Sequence, residues 1–180
     1  SYNGLIKGLK NTLENINFEN ITINNTASDS NNSKYIGVIV NSSANSVSNI
    51  SIKNLNISAK GNNIGFFSTI NGNTVENINI DTANIKGASN IGSFAGETEV
   101  KIVDTIYATN IIIAATGSYV GGIIGRVRNV ANGYIQNVTI ENNSIIESTS
   151  SESNYIGGIL GFKGGNSSYY LNHLYSINIR

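Results

Sequence analysis

With one histidine (His173), three aspartates (Asp29, Asp81 and Asp104) and no cysteine, this 180-residue chain offers little for metal or nucleophilic chemistry. A transition-metal site needs three or four converging nitrogen, sulfur or carboxylate ligands. His173 has no second histidine or cysteine to join it, so neither metal nor cofactor is expected. Hydrolysis or elimination on a polysaccharide needs carboxylates, or carboxylates with Lys or Arg, gathered on one face. Asp81 and Asp104 fall at different points of the repeat described below, so no catalytic residue is expected either. Binding chemistry is better represented. Tyr169, Tyr170, His173 and Tyr175 with Phe162 form the densest aromatic patch, and Arg126 with Arg128 the densest basic one. Aromatic rings stack on sugar faces, and arginine gives paired donors to a carboxylate such as that of sialic acid. The plainer alternative is that the tyrosines cover an edge and the arginines are solvated. Asn31, in the run Asp29-Ser30-Asn31-Asn32-Ser33, has the acidic residue two places upstream that some bacterial glycosylation systems require, and is a candidate modification site in an exposed loop.

The elements that must position these residues recur. The phrase YVGGIIG at Tyr119 returns as YIGGILG at Tyr155 and, more weakly, at Tyr2, Tyr35, Asn63 and Asn90. Its first glycines are Gly4, Gly37, Gly65, Gly92, Gly121 and Gly157, at intervals of 33, 28, 27, 29 and 36 residues. Such a period indicates a solenoid or a propeller. A second phrase, apolar-x-Asn-apolar-x-apolar, follows each glycine phrase: Leu13–Phe18, Val47–Ile52, Val75–Ile80, Ile102–Tyr107, Ile135–Ile140 and Leu174–Ile179. Alternation after the Asn places Ile50 and Ile52, or Ile78 and Ile80, on one face, as in a half-buried strand. The phase breaks at the Asn, which marks a bend, because Asn tolerates left-handed backbone. Asp104 is expected to take that Asn's place in the fourth copy.

Five residues on lies a second polar position, Asn20, Asn54, Thr82, Thr109 and Asn142, followed by a third strand with Ile23, Ile57, Ile85, Ile112 and Ile145 in equivalent places. The outward row reads Asn17, Ser51, Asn79, Thr139 and Asn178, interrupted by Ile106. A propeller blade needs about 40 residues, so the period selects the solenoid. The expectation is an all-β, right-handed parallel β-helix of about six coils with three short strands each, starting near residues 1, 34, 62, 89, 118 and 154, in one domain spanning 1–180. The apolar residues two after the first glycines (Ile6, Ile39, Phe67, Phe94, Ile123 and Ile159) should point inward. The glycines answer either to crowding by a neighbouring strand or to positive φ. Segments beyond the regular period, Asn24–Lys34, Arg126–Gly133, Glu147–Asn154 and Phe162–Tyr170, are expected as lateral loops.

Charged residues are 12% of the chain and formal net charge is zero, which offers no footprint for nucleic acid. No stretch here has the length and polarity of a membrane span or signal peptide. The chain opens inside a repeat and ends without a third strand, so further repeats or a cap are expected beyond it.

The phrases YVGGIIG…IQNVTIENNSI and YIGGILG…LYSINI resemble the GLUG repeat, named for its Gly-Leu-apolar-Gly consensus and found in large secreted or surface-anchored bacterial proteins, including streptococcal immunoglobulin A peptidases and autotransporter-like adhesins. The resemblance covers essentially the whole chain as six degenerate copies. It implies an extracellular or cell-surface β-helical segment without catalysis of its own, since no His-Glu-x-x-His motif occurs here. The expected role is adhesion to a host glycan or protein through lateral loops. The alternatives are a stalk presenting a distal effector or peptidase domain, and a carbohydrate-active β-helix enzyme.

Overall fold

The computed structural model describes residues 2–25, 35–150, 155–164 and 169–179. Throughout them the chain is all β, and parallel strands stack into a right-handed β-solenoid of about five turns, with a sixth begun. The first coil holds β1 (Tyr2–Asn3), β2 (Ile6–Lys7) and β3 (Lys10–Asn25). The second holds β4 (Tyr35–Val40) and β5 (Ser43–Ala59). The third is one continuous strand, β6 (Ile64–Gly87), and the fourth is β7 (Ala95–Ala115). In the fifth come β8 (Val120–Gly121), β9 (Ile124–Val127), β10 (Gly133–Glu141) and β11 (Ile145–Ser148). The last has β12 (Ile156–Gly157), β13 (Leu160–Lys163) and β14 (Tyr169–Ser176).

Backbone pairing continues around the bends, which is why β6 and β7 run so long. The bends themselves are residues of positive φ. Of the nineteen such non-glycine residues described, fifteen are Asn, the residue whose short side chain makes left-handed backbone least costly after glycine. The first Asn bend is Asn15, Asn49, Asn77, Thr105, Asn137 and His173, and the second is Asn20, Asn54, Thr82, Asn110 and Asn142. A further bend precedes the glycine phrase at Asn63, Asn90 and Tyr119. Stacked Asn amides bond along the axis: Asn49 Nδ2 donates to Asn15 Oδ1 at 3.0 Å, Asn77 Nδ2 to Asn49 Oδ1 at 3.2 Å, and Asn54 Nδ2 to Asn20 Oδ1 at 2.9 Å.

In the last three coils the register departs from the sequence reading. In the fourth, Val103 pairs with Val75 and Ile106 with Ile78, so the bend is Thr105 and Asp104 stands one place before it. Ile106 is buried, and the outward residue there is Tyr107. The second bend is correspondingly Asn110 rather than Thr109, and the inward residue of the third run is Ile113, leaving Ile112 exposed. In the fifth coil Asn142 and Asn143 both have positive φ. This extra residue turns Ile145 outward and Ile146 inward. Ser144, buried there, accepts the Ile111 N–H at 3.0 Å and donates to the Glu141 carbonyl at 2.9 Å. In the sixth coil Leu171, not Leu174, pairs with Ile135, and Tyr175, not Asn178, continues the outward row beside Thr139.

The core fills the tube. The ladder Ile16, Ile50, Ile78, Ile106, Val138 and Leu174 runs its length in register. Phe18, Phe66, Phe67 and Phe94 form a chain of edge-to-face contacts at 4.8, 5.1 and 5.3 Å between centroids. Ile39, Phe67, Phe94, Ile123 and Ile159 are buried as expected, and so are Ile36, Ile64, Ile91 and Val120 before the first glycine. The stacked glycines answer to crowding. A Cβ on Gly65 would lie 2.5 Å from the Gly92 carbonyl oxygen and 2.9 Å from the Gly96 nitrogen, and neither Gly65 nor Gly92 has positive φ.

Candidate functional site

Tyr169 and Tyr170, neighbours in sequence, point to opposite sides of β14, as successive strand residues must. Tyr169 packs against Gly133, where a Cβ would come within 2.7 Å of its ring, and its buried hydroxyl donates to the Val100 carbonyl. Burial, then the charge of Glu99, raises its pKa well above that of a free tyrosine. It is a structural residue, removed from the ligand set expected of it. Tyr170 is 56% exposed and stacks on Tyr134 of the preceding coil, centroids 5.2 Å apart and planes at 22°. These two residues, expected in a lateral loop, belong to a strand.

His173 occupies the first bend of the last coil with φ 50° and is exposed. Beyond that bend the outward row reads Tyr107, Thr139, Tyr175 in successive coils. The Tyr107 hydroxyl donates to the Glu141 carboxylate, and that bond, with lesser help from burial and the charge, raises the Tyr107 pKa. Tyr134 and Tyr170 therefore lie on the run before the first bend, Tyr107 and Tyr175 on the run after it, and His173 at the bend between.

Arg126 and Arg128 are elsewhere and are engaged. Arg126 lies in β9 rather than in a loop, paired between Glu97 and Phe162. Arg128 Nη1 bonds Glu97 Oε1 at 2.9 Å, its Nε lies 3.5 Å from Glu99, and Arg126 Nη1 is 3.7 Å from the other Glu97 oxygen. The Glu97 bond, aided by its charge, raises the Arg128 pKa. The Arg126 guanidinium also lies 5.2 Å over the Tyr119 ring and 6.0 Å from that of Phe162. Tyr119 stacks on Tyr155 at 5.3 Å with planes 9° apart, and Phe162 contacts both. Both arginines converge on one buried carboxylate, which Arg128 hydrogen-bonds and Arg126 approaches at ion-pair distance, so their charge is matched internally.

The candidate surface thus divides into two aromatic clusters, one around Tyr134 and Tyr170 and one around Tyr119, Tyr155 and Phe162. Single-residue reading missed Tyr107, Tyr119, Tyr134 and Tyr155. The signal was the repeat itself, since Tyr119 and Tyr155 open equivalent glycine phrases one coil apart.

The aspartates serve the bends. Asp104 accepts Gln136 Nε2 at 2.8 Å, Asn137 Nδ2 at 2.8 Å and Thr105 Oγ1 at 2.9 Å. Asp81 accepts Thr82 Oγ1 at 3.1 Å and Asn110 Nδ2 at 3.5 Å. Among the described residues no group of three or more His, Asp or Glu is placed to hold a metal, and no helix is long and apolar enough to cross a membrane. Asn31 lies outside the described residues, as do Asp29 and most of the Asn24–Lys34 insertion. A scan against family models, a search of curated proteins and a search of solved structures each return no match for this chain.

Proposed function

We infer that this β-solenoid is a non-enzymatic adhesive segment of a bacterial surface or secreted protein of the GLUG-repeat kind, contacting host glycans or proteins through its exposed tyrosines. The observation that carries the reading is the exposed pair Tyr134 and Tyr170, 43% and 56% accessible and stacked across paired strands. Tyrosine brings a large, stiff, amphipathic surface to an interface at small entropic cost. Because Arg126 and Arg128 are matched by Glu97 and Glu99, the favoured ligand at this edge is a neutral sugar face or a protein surface rather than a carboxylate. The fold gives such a segment its reach, with coils added at about 4.8 Å each.

Binding of the purified chain to a glycan array and to epithelial cells tests the reading. Tyr170→Ala and Tyr134→Ala should each weaken saturable binding by about tenfold, the equivalent of roughly 1.4 kcal/mol at one aromatic contact. One observation favours the stalk reading instead. The inner faces of Tyr134 and Tyr170 are occupied by each other, as stabilising cross-strand pairs. Absence of any binding by the folded chain, with Tyr134→Ala lowering its stability, would select the stalk.

A further inference from the structure

The run of the coil after the second bend carries a groove that the aromatic edge does not share. Its cavity of about 540 Å³ is lined by Ala59 and Lys60 in the second coil, Lys86 and Gly87 in the third, Ala114, Ala115 and Thr116 in the fourth, and Thr149 in the fifth. It therefore follows the solenoid axis across three coil rises, roughly 14 Å. Lys86 also borders a smaller cavity of about 180 Å³ lined by Asn24, Asn56, Ser58 and Asn84. The floor is made of small residues for a reason internal to the fold: Gly87 backs onto the core, where a Cβ would meet Ile64 Cδ1 at 2.1 Å, and Ala115 pairs beside it. Lys60 and Lys86 are exposed and make no ion pair among the described residues. Glu147 pairs opposite Ala114, toward the far end from Lys60, so the positive charge lies at the second and third coils.

Three features select the class of occupant. The floor of Ala59, Gly87, Ala114 and Ala115 carries no long side chain and admits the apolar face of a pyranose ring. The rim offers the Thr116 and Thr149 hydroxyls, and the adjoining cavity that shares Lys86 adds the Asn56 and Asn84 amides, groups that both donate and accept as sugar hydroxyls do. The strands below are already paired on both sides, β7 with β6 and with β11, so no strand edge is open there for an added peptide strand. The zero net charge speaks against a nucleic acid.

We propose that this groove binds an acidic oligosaccharide, its rings lying along the axis on the Ala/Gly floor and its carboxylate or sulfate held by Lys60 and Lys86. The assignment rests on the reading above that the chain contacts carbohydrate, but it concerns different residues and an acidic rather than neutral sugar.

The test is calorimetric titration of the purified chain with a short oligogalacturonate, a sulfated oligosaccharide, a neutral maltooligosaccharide and single-stranded DNA. The acidic sugars should bind, more weakly as salt is raised. The double variant Lys60→Ala/Lys86→Ala should weaken that binding by tenfold or more, about the loss of one charge-assisted hydrogen bond. Ala114→Leu should block the groove without changing charge, and Tyr170→Ala should leave this binding intact. Equal affinity for the neutral sugar or for DNA, insensitivity to the lysine or Ala114 changes, or no binding of either acidic sugar would each overturn the proposal. Tyr170-dependent glycan binding without it would leave the adhesive reading standing. Groove binding without any Tyr170-dependent ligand would do the reverse.

Discussion

Threonine is a poor residue for left-handed backbone, yet Thr82 and Thr105 hold bends at φ 64° and 53°. Both follow an aspartate, and in both cases the carboxylate takes the place of the missing Asn amide oxygen, accepting from the threonine and from the Asn of the next coil. An Asp-Thr pair thus substitutes for one Asn in the ladder. Burial raises the Asp104 pKa, but the hydrogen bonds from Gln136, Asn137 and Thr105 outweigh it and leave the carboxyl below its usual value of 3.8. Because the folded pKa is the lower one, the stabilisation is present above the unfolded value and is lost as pH falls through the folded one. Asp104→Ala should cost about 1 kcal/mol at neutral pH, discounted for solvent screening, and its urea midpoint should converge with that of the parent as pH falls through the lowered folded pKa of Asp104. Thr105→Asn should stabilise the chain by about 0.5 kcal/mol and reduce the cost of Asp104→Ala, a coupling that a double-mutant cycle reads directly. Strict additivity of the two changes would refute the substitution argument. At Tyr169, replacement by Phe leaves the Val100 carbonyl without its buried donor, and should lower stability by about 1–2 kcal/mol. In the parent, absorbance titration should show one tyrosine that ionises only on unfolding.

The strands derive their spacing from the glycine ladder. At Gly65 a methyl group would strike the backbone of the next coil, not a side chain that can rotate away. Gly65→Ala should therefore destabilise by about 2–4 kcal/mol, whereas Gly8→Ala, with nothing within 4 Å of its Cβ but φ at 71°, should cost only about 1 kcal/mol. Equal effects in thermal melts would show that conformation rather than crowding governs the ladder. Legibility of these elements in the sequence followed the same physics. In the second and third coils Val47, Ile50 and Ile52, or Val75, Ile78 and Ile80, are set apart by polar residues, and their register was readable. In the fourth, Ile102 and Val103 are both apolar, so two phases satisfy the local pattern, and only stacking on Val75 selects Val103. In the sixth, LNHLYS and LYSINI overlap, and pairing with β10 selects the first. A doubled Asn at 142 and 143 shifts Ile145 outward by a conformation that composition does not encode. The pairing of Arg126 with Glu97 was within reach, since the two stand one period apart. A loop reading of RVRNVANG hides their engagement, because only strand register sets Arg126 beside Glu97.

Over the whole molecule, backbone pairing joins each coil only to its neighbours, and only contacts such as Phe18–Phe66 and Tyr169–Val100 reach one coil further, so stability is largely a sum of coil and interface terms. The terms are unequal along the axis. Phe66, Phe67 and Phe94 in the third and fourth coils are fully buried, while Leu171, at the inward position of the sixth, is 50% exposed. The first coil is intermediate, with Ile16, Phe18, Ile21 and Ile23 only partly covered. Local opening follows buried apolar contact, so hydrogen exchange should be graded along the axis and not cooperative from end to end. Amides of Ile64–Gly87 should be the most protected, and those of Tyr169–Ser176 should exchange at least about tenfold faster. Leu171→Asn should cost less than about 1 kcal/mol, and Val103→Asn, its buried counterpart along the tube, about 3 kcal/mol or more. The gradient also bears on binding, because the Tyr170 edge lies on the less protected coil and the Lys60–Lys86 groove on the most protected ones. A ligand at Tyr170 should slow exchange in β14 in proportion to its occupancy. A ligand in the groove should leave β14 unchanged, so the same exchange experiment separates the two sites without a mutation. Uniform protection from β3 to β14 would contradict the nearest-neighbour account and indicate one cooperative unit.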